Sequence, residues 1–139
     1  MKLINKALCL VLILFVSSCS VDDSGDKQTF EMLPIESIVF PDEFVLGGVY
    51  DIDFTFIRPT SCHGYHDIFI SADGVNRTVG VTSIVFGNSN CIELTDNNVA
   101  QQSFRIKALY DQTYIFHIWK GTDGNGDDVF EDYEVPVVN

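Results

Sequence analysis

Positive charge is what this chain lacks most. Eight lysines and arginines stand against 20 aspartates and glutamates, a formal charge of −12 over 139 residues. Nucleic-acid phosphates are held by Lys and Arg, so a surface of this sign repels them. It also gives no grip on anionic lipid headgroups. Long apolar runs are missing too. The longest, Ala7 to Val16, is about half of the ~20 residues that a membrane-spanning helix requires. The chain has no G-x-S-x-G elbow, no H-E-x-x-H, no phosphate loop and no dinucleotide fingerprint. No carboxylate pair sits in apolar surroundings that would raise a pKa, so no reaction is identified. Tryptophan occurs once, as Trp119, and cysteine four times. Aromatic residues are not scarce: 11 Phe and five Tyr suffice for a core and exclude a disordered stalk.

The N-terminus is organised differently from the rest. Lys2 and Lys6 precede the apolar run, and Ser17, Ser18 and Cys19 follow it. A positive head, a short apolar stretch and small residues form a secretory signal. Val16-Ser17-Ser18-Cys19 resembles the lipobox of bacterial lipoproteins. The resemblance implies that Cys19 is joined to lipid through its thiol and becomes the new N-terminus. Several acyl chains anchor stably where one binds only marginally. Ser20 is not the aspartate that holds some Gram-negative lipoproteins at the inner membrane. Val21-Asp22-Asp23-Ser24-Gly25-Asp26 resembles the acidic tag that exports others to the cell surface. The implied location is the outer membrane, on its cell-surface or periplasmic face. Residues 1–18 are then a signal peptide, 19–34 a lipidated flexible tether, and 35–139 a single domain. Removing residues 1–18 takes Lys2 and Lys6 with them. That leaves 121 residues with 6 basic and 20 acidic side chains, a formal charge of −14.

Within the domain, period-two alternation dominates and no stretch reads as a helix. Expected strands cover Ile35 to Phe40, Val49 to Arg58, Asp67 to Ser71, Arg77 to Phe86, Phe104 to Ala108, Thr113 to Lys120 and Val129 to Val138. Tyr50, Ile52, Phe54 and Phe56 share one face of the second strand. Asp73-Gly74 is expected to supply the positive-φ residues of a tight hairpin. Gly87 to Gln102 reads as a long polar loop. The run from Thr113 to Lys120 is apolar on both faces, which predicts a central strand. Pro136 points to an edge.

Seven short strands with turn signals between them predict an all-β, immunoglobulin-like sandwich of antiparallel strands. Tyr114, near the start of the sixth strand, resembles that fold's tyrosine corner. Asp111 stands three residues before it. The usual acid lies four before, where this chain has Tyr110, and Phe116 replaces the expected cysteine. The resemblance is therefore to the architecture alone, and a jelly roll or small barrel is the alternative.

Three groups carry candidate chemistry. An oxidising compartment makes a disulfide between Cys62 and Cys91 the default. The rival is a copper or zinc site from Cys62, His63 and His66, with Cys91 as a fourth ligand. In the acidic loop, Asp123, Asn125, Asp127 and Asp128 resemble part of an EF-hand calcium loop that ends at Glu134. Asp128 stands where the invariant glycine belongs, and Asn125-Gly126 is itself a good turn pair. His117 reads as a packed, hydrogen-bonded histidine. The loops 59–66, 87–102 and 120–128 are expected to cluster at one end, and that end, with the disulfide, His63, Tyr65, His66 and the acidic tip, is the expected binding surface.

The resulting expectation is a lipid-anchored, non-catalytic binding or structural module of the cell envelope. No cofactor is required, though Ca²⁺ fits the acidic loop. Its partners would be the membrane, through the N-terminal lipid, and an envelope protein or glycan. A calcium, copper or zinc protein is the alternative, and a small hydrolase comes third.

Overall fold

A computed structural model describes residues 27–87 and 90–139. The proposed signal peptide and lipidated Cys19 lie outside the described residues. Those residues form an all-β structure with no helix. Ten strands follow in order: β1 (Lys27–Leu33), β2 (Ile35–Val39), β3 (Phe44–Val45), β4 (Val49–Ile57), β5 (His63–Asp73), β6 (Asn76–Gly87), β7 (Val99–Lys107), β8 (Tyr114–Thr122), β9 (Asp128–Val135) and β10 (Val137–Val138).

They make a five-stranded sheet of β1, β5, β6, β8 and β9, a three-stranded sheet in the order β2-β4-β7, and a short β3–β10 pair. The core lies between the two larger sheets. Ile35, Ile52, Phe54, Phe56 and Phe104 from one side meet Val79, Val81, Tyr114, Phe116 and Ile118 from the other. The alternation read in β4 holds: Ile52, Phe54 and Phe56 are buried and Tyr50 is half-buried beside them. Tyr114 is fully buried, and its hydroxyl oxygen accepts the backbone N–H groups of Leu109 at 2.8 Å and Tyr110 at 3.3 Å.

The count of ten departs from the seven expected, for identifiable reasons. Residues 27–33 were expected in a tether but pair along β6, from Lys27↔Gly87 to Leu33↔Val81. Only Leu33 of β1 is buried, so backbone pairing rather than an apolar inner face makes it a strand. Pro136 splits the last expected strand in two. The chain leaves β8 there, and the Pro136 carbonyl accepts the Phe44 N–H at 2.8 Å as β10 pairs parallel with β3. The pairing of β6 with β8 is also parallel, Asn76↔Ile115 to Val79↔Ile118, where an all-antiparallel arrangement was expected. Between them the chain visits β7 in the other sheet, which returns it in the same direction.

Of the Asp73-Gly74 pair only Gly74 takes positive φ, +60°. Asp73 pairs with Asn76, so the two-residue turn is Gly74-Val75, with glycine at the first position as a type II′ turn demands. The long loop is shorter than expected because β7 begins at Val99.

The β6 edge positions the site described next. β1 runs beside the second half of β6 and β8 beside the first. The last β1 partner is Val81 and the last β8 partner is Val79, so the handover falls on Gly80.

Candidate functional site

Alternation sends Val79 and Val81 into the core, so Gly80 faces outward. Its partner on β5 is Phe69. A Cβ at this position would lie 2.5 Å from Met32 Cε and 3.7 Å from Trp119 Cβ. Met32 comes from β1 and Trp119 from β8, one from each side of the handover. Trp119 pairs with Phe130 on β9. These residues, with Thr78 and Asp128, line an open groove of about 270 Å³ on the outer face of the five-stranded sheet. Gly80 is its floor. The Trp119 indole Nε1–H donates to Asp128 Oδ1 at 2.9 Å, which fixes the ring and places a carboxylate at the rim.

The apolar surface continues beyond the groove. Phe30 is 57 % exposed and sits 4.6 Å, centroid to centroid, from the His66 ring. Phe86 is exposed as well. His117, next along β8 on this face, is hydrogen-bonded through Nδ1 to Asp132 Oδ1 at 2.6 Å. It is hydrogen-bonded, as the sequence suggested, but half-exposed on the outer face rather than packed in the core.

The loop end is stapled. Cys62 and Cys91 form a disulfide across a separation of 29 residues, with Cα atoms 5.3 Å apart. Thr60 bridges to Glu93, and the Ser61 and Leu94 N–H groups donate to the Ile92 and Pro59 carbonyls. The bridge consumes the thiol that a copper or zinc site at Cys62 needed. The two histidines also part. His63 Nε2 meets Glu31 Oε1 at 2.6 Å, while His66 rests on Phe30. Adjacent residues of a strand point to opposite faces, so the imidazoles lie on opposite faces of the sheet. His63 Nδ1 meets Thr60 Oγ1 at 2.7 Å, and that oxygen also accepts the Cys62 N–H at 3.2 Å. Among the described residues, this hydroxyl, imidazole and carboxylate in line come nearest to a nucleophile with its base. They lie on the face opposite the groove and tie β1 to the start of β5.

The acidic loop does not gather its four expected calcium ligands. Asp123 Oδ1 accepts the N–H groups of Asn125 at 2.8 Å and Asp127 at 3.0 Å. These amides, Asp127 first and Asn125 next, hold its carboxyl below the usual range. Asp128 is instead committed to Trp119. Gly126 takes φ +89° to close the turn. Among the described residues, no three His, Cys, Asp or Glu side chains come together to hold a metal. The turn's hydrogen bonds are internal, whereas the 59–62 and 90–94 segments are joined to each other.

No protein-family model matches the chain, and neither the curated proteins nor the solved structures contain a match.

Proposed function

We propose that this chain is a lipid-anchored envelope lipoprotein whose β-domain binds a partner through the groove around Gly80 and carries out no catalysis. The anchoring part rests on Val16-Ser17-Ser18-Cys19 and the acidic run after it, with the Cys62–Cys91 bridge fitting an oxidising compartment. The binding part rests on one observation: an aromatic groove left open on strands, which are a more rigid platform than loops. The fold is a variant of the immunoglobulin-like sandwich. The Tyr114 hydroxyl bonded to upstream backbone favours that kinship, and the parallel β6–β8 pairing makes it a variant.

Two experiments test the reading. Growth with a labelled fatty acid should mark the wild-type protein and leave Cys19→Ala unmarked and unanchored. Protease shaving of intact cells then assigns the leaflet. For binding, the purified full-length protein and its Phe69→Ala/Phe130→Ala variant are used to capture material from envelope fractions. Retention by the wild type alone supports the groove. Identical retention profiles defeat it.

A further inference from the structure

The groove's chemistry narrows the occupant. Phe69, Trp119 and Phe130 line it, and the ring contacts of the described residues join none of these three to another. The rings therefore border an open space that Met32, whose methyl lies over Gly80, also lines. Charge is the second constraint. Alternation from Phe69 and Phe130 puts Asp67, Asp73, Asp132 and Glu134 on the same outer face, with Asp128 in the groove itself. The lysines and arginines of these five strands go elsewhere. Lys27 alternates with buried Leu33, the Arg77 guanidinium lies over the Tyr114 ring, and Lys120 reaches the Glu36 carbonyl and Glu131.

We infer that the groove receives a lysine or arginine side chain carried on a basic polypeptide segment, an inference that rests on the binding reading above. Aromatic faces attract a cation through the ring quadrupole, and Asp128 supplies a charge-assisted acceptor beside them. An anionic occupant is repelled by these acids, and an apolar one gains nothing from Asp128 at the rim. A second copy of this chain carries the same −12, and the segment Val21 to Asp26 before β1 is itself acidic, so both are disfavoured by charge. The occupant is a polypeptide rather than a small cation because the exposed apolar surface runs on to Phe30 and Phe86, beyond what one ammonium group covers.

Trp119 is the only tryptophan in the chain, so its emission reports the groove directly. The full-length protein in non-ionic detergent is titrated with acetylated tetra-arginine and with tetra-citrulline, which keeps the shape and loses the charge. Tetra-arginine should shift the emission saturably, and tetra-citrulline should bind about tenfold more weakly or less. Phe69→Ala should weaken tetra-arginine about tenfold. Asp51→Asn removes an acid paired with Arg105 on the other sheet and should change affinity far less. Equal losses from Phe69→Ala and Asp51→Asn would mean unspecific attraction to an acidic protein and overturn the inference. A shift with neutral glucan or chitin oligosaccharides and none with tetra-arginine also overturns it, while leaving a groove-dependent binding module. Identical envelope capture by the wild type and the Phe69→Ala/Phe130→Ala variant removes the underlying reading as well.

Discussion

The inner face of the five-stranded sheet carries Val79, Val81, Tyr114, Phe116 and Ile118, all at 0 % exposure; its outer face carries Phe30, Met32, Phe69 and Phe130, at 40–57 %. The two faces are similar in hydrophobicity and differ in what covers them. The three-stranded sheet closes over the first and nothing in the chain's described residues closes over the second. Single exposed apolar residues are ordinary on a protein surface, but a contiguous set rimmed by polar groups marks an interaction site. One face should therefore set stability and the other binding.

The sharpest division comes from truncating one ring on each face. Phe116→Ala should cost about 3–5 kcal/mol through lost burial and the cavity left behind. Phe69→Ala should cost at most about 1 kcal/mol, since roughly half of a Phe burial term is at stake. Urea denaturation of both variants measures the gap. Comparable losses would mean that the outer face is covered after all, and the comparison would collapse. Next in size is the disulfide. The Cys62→Ser/Cys91→Ser variant loses a cross-link over about 30 residues, about 3–4 kcal/mol on the chain-entropy account. Because the staple sits at the loop end, Trp119 emission in the folded variant should match wild type. A changed emission would show that the groove depends on that end.

Tyr114→Phe probes the inner face with a smaller change. The ring stays, but the part-buried N–H groups of Leu109 and Tyr110 lose their acceptor. Such a loss costs about 1–3 kcal/mol. A shift in melting temperature without a change in Trp119 emission is the expected result. Emission that moved with it would couple the two faces through β8.

The inner face was legible from sequence and the outer one was not, for a physical reason. Ile52, Phe54 and Phe56 alternate with Asp51, Asp53 and Thr55, so the core side of β4 announces itself. In β1 the pattern is inverted: Phe30 and Met32 point outward, while Thr29 and Glu31 share the side of Leu33. With no apolar inner face, the segment read as a tether. The apolar character of β8 on both faces signalled burial twice over, yet Trp119 is only half-buried beside the groove. The groove itself needs β1 and β8 to meet along β6. That contact joins residues 32, 80 and 119, and alternation fixes faces but not neighbours. The disulfide was legible because the expected domain holds only two cysteines, Cys62 and Cys91, which left few choices. The acidic loop stayed open between two readings because Asp, Asn and Gly at turn spacing serve a hairpin as well as they serve calcium.

The smallest expected effect separates two acids of that hairpin. Asp123 turns its carboxylate into the N–H groups of Asn125 and Asp127, whereas Asp128 turns toward the indole of Trp119. In the unfolded chain Asp123 has an ordinary carboxyl pKa, and in the folded turn the value is lowered by those amides. Its stabilisation is therefore fully present above the unfolded value and is lost as pH falls through the folded one. Asp123→Asn should lower the melting temperature slightly at neutral pH, converge with wild type in acid, and leave Trp119 emission untouched. Asp128→Asn should do the reverse, altering emission with little change in stability. If both variants acted on emission alike, the turn and the groove would be one unit, and the acidic loop would belong to the outer face's binding surface rather than to its frame.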